Sequence, residues 1–172
     1  AGQTYLILGD GTGWAMDTDL SDADASFWGE NSDDESGWSV SGAGDVNGDG
    51  YDDFLIGAPR NGDGGDDAGQ TYLILGKASG WSMDTDLSDA DASFWGEDSD
   101  DRSGYAVSGA GDVNADGYDD FIISNIIHFI QIYTPNISRF IDQSNAFKIL
   151  NTTFFCWLAH NNFKHICFIN KI

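Results

Sequence analysis

Apolar residues in this 172-residue chain come in short runs separated by long stretches rich in Asp and Gly. Phe54-Leu55-Ile56-Gly57-Ala58-Pro59 is such a run, closed by Gly and Pro, and it predicts a buried strand rather than a helix. Gly69-Gln70-Thr71-Tyr72-Leu73-Ile74-Leu75 joins β-branched and aromatic residues and predicts another strand. Ser36 to Ala43 is a run of small residues, suited to a strand where backbones approach closely. Ala92-Ser93-Phe94-Trp95-Gly96-Glu97 predicts a fourth strand at an outer edge. Between these lie a Gly/Asp-rich connection at 60–67, a turn at Gly76 to Gly80 and an acidic segment at 81–91.

The pattern repeats every 67 residues, with 46 of 57 positions identical between residues 1–57 and 68–124. Such fidelity implies one structural unit used more than once. Four antiparallel strands per repeat describe a blade of a β-propeller, an all-β architecture. One blade cannot bury both of its faces, so neighbouring blades must stack on it. Trp14, Trp28, Trp38, Trp81 and Trp95 are then expected to pack between blades rather than to form a stacking platform for a ligand.

The first and second strands of the repeat are joined by Asp45-Val46-Asn47-Gly48-Asp49-Gly50-Tyr51-Asp52-Asp53, which returns as Asp112-Val113-Asn114-Ala115-Asp116-Gly117-Tyr118-Asp119-Asp120. Oxygen-bearing side chains stand at loop positions 1, 3, 5 and 9: Asp45, Asn47, Asp49 and Asp53, then Asp112, Asn114, Asp116 and Asp120. Alternate spacing in a tight turn aims three of them inward. Gly50 and Gly117 supply that turn, and the carbonyls of Tyr51 and Tyr118 are natural further ligands. Oxygen ligands of this kind suit Ca²⁺, a hard cation that takes six to eight of them. A helix-loop-helix calcium site is excluded. It needs a Glu at position 12, where Ile56 and Ile123 stand, and a helix where a strand follows.

A net charge of −22 argues against nucleic acid or anionic membrane as partner. Hydrophobic residues at 41% and aromatics at 13% are too rich for a disordered acidic chain. No apolar run approaches the roughly 18 residues of a membrane span. A second acidic cluster, Asp17, Asp19, Asp22 and Asp24 with its repeat Asp84, Asp86, Asp89 and Asp91, lacks the glycine turn and reads as a solvated loop. There is no nucleophile elbow, and Gly42-Ala43-Gly44 leads into an acidic turn that would repel phosphate. The repeats contain no histidine, so no enzyme is expected.

The succession Ser-Gly-Trp-Ser-Val, Gly-Asp-Val-Asn-Gly-Asp-Gly-Tyr-Asp-Asp and Phe-Leu-Ile-Gly-Ala-Pro resembles the FG-GAP repeat of integrin α-chain propellers. The resemblance covers residues 1–124 and implies that both loops hold calcium through the residues already named. It also implies an incomplete β-propeller fragment, since family propellers have about seven blades. Residues 1–35 would be half a blade, 36–102 a full blade and 103–124 another half. An open edge and an uncovered face lined by Phe54, Ile56, Tyr72 and Ile74 are expected to leave the chain marginal and prone to self-association. The implied function is a calcium-binding module of an extracellular or cell-surface protein, for adhesion or binding of a protein or glycan ligand. The alternative is a non-catalytic propeller of a secreted enzyme whose catalytic domain lies elsewhere.

From Asn125 the character changes. Residues 125–172 have no glycine, a single acid in Asp142, and both cysteines and all three histidines of the chain. They read as an atypical tail outside the propeller, most simply an out-of-frame continuation, with a capping or interaction segment as the rival. Cys156, His160, His165 and Cys167 lack the Cys pair of a zinc site, and the two cysteines could also form a disulfide. Asn136-Ile137-Ser138 and Asn151-Thr152-Thr153 fit the glycosylation triplet, which is short enough to occur by accident.

Overall fold

The computed structural model describes residues 1–126 and the strands Phe154–Trp157 and Ile166–Ile169. In chain order the strands are β1 Gln3–Leu6, β2 Ala25–Trp28, β3 Ser39–Gly44, β4 Asp53–Ala58, β5 Gln70–Ile74, β6 Thr85–Asp86, β7 Ala92–Trp95, β8 Ala106–Gly111, β9 Asp120–Ser124, β10 Phe154–Trp157 and β11 Ile166–Ile169. The described residues are mostly β, and the sheets of residues 1–126 form an incomplete propeller.

The central sheet runs β3-β4-β5-β7, each strand antiparallel to the next. Its first hairpin carries the Asp45–Asp53 loop, and a bulge between Gly42 and Gly44 lets β3 turn into it. On one side of it stand β1 and β2, antiparallel to one another, and on the other β8 and β9, likewise antiparallel. Alternation along β4 and β5 sends Ile56, Tyr72 and Ile74 to one face and Leu55 and Leu73 to the other. The first face packs on Ala25, Phe27 and Leu87. The second packs with Ala43 and is covered by Val107 and Phe121.

The expected uncovered face is therefore corrected. Ile56, Tyr72 and Ile74 are buried, and Phe54 is half-buried with its ring 5.6 Å from that of Phe27 in an edge-to-face pair. The half-sheet of β1 and β2, together with Trp81 and Leu87, covers that face. The tryptophan expectation is also corrected. Trp81 alone joins a buried cluster, meeting Phe27 and Phe54 edge-on and tilted, with the Lys77 ammonium 4.7 Å from its ring centre. Trp14, Trp28, Trp38 and Trp95 are exposed.

The small-residue strand does sit where backbones crowd. A Cβ on Gly109 of β8 would come 2.7 Å from the Gly42 carbonyl of β3. Gly42, one repeat earlier, faces open space. The same glycine is thus required by a neighbour in one copy and unconstrained in the other.

The acidic segment 81–91 does more than connect. Its residues Thr85 and Asp86 pair in parallel with Phe27 and Trp28 of β2, in the preceding half-sheet. Beside them the Asp84 carboxylate accepts from the Trp28 indole at 2.7 Å, while the Asp84 amide donates to Ser26 Oγ at 2.8 Å. Asp19 and Asp86 cap short 3-10 turns, Leu20–Asp22 and Leu87–Asp89, each accepting from a serine amide at 2.9 Å. Asp24 and Asp91 accept from the amides of Leu8 and Leu75 at 2.8 Å. This second acidic cluster is part of the loop scaffold.

The proposed tail lies largely outside the described residues, as do Asn136, Asn151, His160 and His165. β10 and β11 pair antiparallel, with Cys156 and Cys167 as register partners. Among the described residues no helix is long and apolar enough to cross a membrane.

Candidate metal centre

Each Asp-rich loop is wound by its own side chains around backbone amides. In the first, Asp45 accepts from the amides of Gly48, Asp49 and Gly50 at 2.7, 3.0 and 2.8 Å. Asn47 Oδ1 accepts from the same Asp49 amide at 2.8 Å, and Asn47 Nδ2 donates to Asp49 Oδ2 at 2.9 Å. Asp49 Oδ1 accepts from the Tyr51 amide at 2.9 Å. Gly48 and Gly50 adopt φ of +76° and +91°, which lets the chain double back within three residues.

The second loop repeats the pattern. Asp112 accepts from the amides of Asp116 and Gly117 at 3.1 and 2.9 Å, and Asn114 Nδ2 donates to Asp116 Oδ2 at 2.8 Å. Asp116 accepts from the Tyr118 amide at 3.0 Å. Backbone amides, that of Gly117 first, hold the Asp112 carboxyl below the usual carboxylate range. It therefore stays anionic well below neutral pH.

The structure brings Asp45, Asn47 and Asp49 together over one turn, and Asp112, Asn114 and Asp116 over the next. It treats the ninth residue differently. Asp53 is buried at the base of its loop, accepting from the Val46 amide at 2.9 Å and the Gly76 amide at 2.7 Å. Asp120 accepts from the Val113 amide at 2.9 Å. Among the described residues no three carboxyl, imidazole or thiol groups are gathered to hold a metal ion, because only two carboxylates share each turn. The side rings of Tyr51 and Tyr118 are exposed.

The donor set nevertheless fits a hard divalent cation such as calcium. Every candidate ligand is oxygen, and an ionised carboxylate offers about four lone-pair directions. Asp45 has one left after its three amides, and Asp49 has two after the Tyr51 and Asn47 donors. Asn47 also keeps one on its amide oxygen.

A contact that sequence reasoning missed links the two loops. The Asp119 amide donates to the Asp45 carbonyl at 3.1 Å, and the Asp119 carboxylate accepts from the Asp45 amide at 3.0 Å. The Tyr118 ring lies over Gly48, where an added Cβ would meet it at 2.7 Å. The only sequence signal was Asp119, an aspartate in excess of what a single ion shell needs.

Residues 36–74, which hold β3, the first loop, β4 and β5, match the family model of the FG-GAP repeat. The chain carries an FG-GAP repeat. Over 84 residues it is also 39% identical to integrin alpha-PS2 of Drosophila melanogaster, a stretch that covers 46% of this chain and 6% of that protein's length. The FG-GAP match spans the hairpin that presents the first loop, and the likeness to an integrin α-chain is confined to that 84-residue stretch.

Proposed function

We propose that the chain is a calcium-binding propeller module of an extracellular or cell-surface protein, serving adhesion or ligand binding, with no catalytic role of its own. The observation that supports this most is the doubled loop. Two copies fold three oxygen-bearing side chains over a glycine turn, and residues of the second loop clamp the head of the first. Calcium bound at Asp45, Asn47 and Asp49, and at Asp112, Asn114 and Asp116, would supply positive charge to an acidic hairpin end. The carbonyls of Tyr51 and Tyr118 complete the proposed shell, while Asp53 and Asp120 brace the loop base through the Val46 and Val113 amides. Likeness to an integrin α-chain favours a protein ligand at a cell surface or matrix, with a glycan as the other ligand class.

Calorimetric titration of the full chain with Ca²⁺ and with Mg²⁺ tests the reading. Two sites of modest affinity, on the order of 10⁻⁴–10⁻³ M as in extracellular modules, are expected for Ca²⁺ and weaker binding for Mg²⁺. Asp49→Ala should remove one site and leave the other. Equal preference for Mg²⁺, or no heat with either ion, would overturn it.

A further inference from the structure

Although the protein is strongly acidic, the two arginines among its described residues line one pocket of about 170 Å³. Its walls are Glu35, Trp38, Pro59, Arg60, Arg102 and Tyr105. Glu35 and Arg102 occupy the same position in successive repeats, as do Trp38 and Tyr105. The pocket is therefore the corner at which the central sheet meets the following hairpin.

Glu35 and Arg102 have φ of 55° and 53°, a left-handed conformation that L residues adopt only against steric resistance. The Arg60 guanidinium lies 3.3 Å from the Glu35 carboxylate, and that of Arg102 lies 3.3 Å from Asp67. Arg102 Nε is buried and has no hydrogen-bond partner. The rings of Trp38 and Tyr105 stand 5.5 Å apart, tilted by 39°, and both are exposed. One small space thus combines two ion-paired guanidinium groups, a carboxylate acceptor and exposed aromatic rings.

We propose that this pocket binds one acidic sugar residue of a glycan. Its carboxylate would engage Arg102 and Arg60 through charge-assisted hydrogen bonds. A hydroxyl would donate to Glu35, and the apolar C–H face of the ring would lie on Trp38 and Tyr105. The volume is below the roughly 300–1,000 Å³ of pockets for drug-sized ligands, which suits a single sugar unit. An acidic peptide side chain would use the arginines alone and leave the aromatics idle. This proposal rests on the binding-module reading and gives that module a ligand class.

The test is tryptophan fluorescence of the full chain, in calcium, titrated with a short galacturonate oligosaccharide, a neutral galactose oligomer and an oligoglutamate peptide. The acidic oligosaccharide alone should change the signal. Arg102→Gln and Trp38→Ala should each weaken binding at least tenfold, with Trp14→Phe unchanged. Trp38 is exposed, so its truncation leaves folding intact even where loss of Arg102 does not. Equal binding of the neutral oligomer, preference for the peptide, absence of sugar binding, or indifference to both variants would overturn the proposal. Calcium calorimetry on the same sample keeps the two readings apart: ion binding without sugar binding sinks only the pocket.

Discussion

Asp119 grips Asp45 from two sides, giving its amide to the Asp45 carbonyl and taking the Asp45 amide on its carboxylate, across 74 residues of chain. Asp45 heads the first oxygen-rich turn, so the second turn sets its position. Asp119→Ala should cost about 1.5–3 kcal/mol, as expected for a hydrogen bond to a charged group. It should also weaken calcium at the first loop by several-fold. Asp52, the same residue one repeat earlier, is exposed and makes no such clamp, so Asp52→Ala should change stability by less than about 0.5 kcal/mol. Urea melts of the two variants give the comparison; equal losses would remove Asp119 from this role.

Ala115 holds a φ of +62° in the second loop, where the first has Gly48 at +76°. Left-handed backbone is unfavourable for alanine by about 1–2 kcal/mol, partly offset by the looser unfolded chain that glycine brings. Ala115→Gly should therefore raise stability by about 0.5–1 kcal/mol. Gly48→Ala should lower it by more, because the new methyl also meets the Tyr118 ring. Thermal melts that move the same way for both would contradict the argument.

The Tyr72 hydroxyl donates to Glu30 at 2.8 Å inside the junction between β2 and the central sheet. Burial, reinforced by the nearby Asp63 and Asp34, pushes the Glu30 carboxyl above its usual range. A raised carboxyl means that the folded state holds the proton more tightly than the unfolded one. The stability this brings is present below the ordinary glutamate value, about 4.3, and is lost as pH rises through the raised one. Glu30→Gln should thus stabilise the protein near neutral pH, with the advantage shrinking in acid. Melting temperatures of both proteins across that range measure it, and an advantage that grows in acid would reverse the sign.

Leu55 and Ile122 occupy one repeat position, yet Leu55 is fully buried and Ile122 is 60% exposed. Leu55→Ala should cost about 2–5 kcal/mol, while Ile122→Ala should cost a small fraction of that. Denaturant midpoints of the pair read the difference directly.

That pair also marks how far the sequence could be read. β4 was legible from end to end, because an apolar run closed by Gly-Ala-Pro leaves one interpretation. The oxygen positions of both loops were legible from spacing alone. Which neighbour covers which face was not. Copies identical in sequence, such as Gly42 and Gly109, differ only in what stands beside them. The Asp119 clamp, the arginine pocket and the Asp84 contacts escaped for the same reason, since each joins residues from successive repeats. The tryptophans misled because their size suggests burial, whereas Trp28 keeps its indole N–H on Asp84 at the surface.

The parallel pairing of Thr85 and Asp86 with β2 means that the last strand of one sheet is held by chain belonging to the next repeat. β2 cannot fray without freeing the segment that leads into β7, and that segment cannot detach without baring the edge of β2. The smallest region able to open cooperatively is then a seam between sheets rather than a sheet. Amides of β2 and of the 84–86 segment would exchange with solvent together, in step with one opening event.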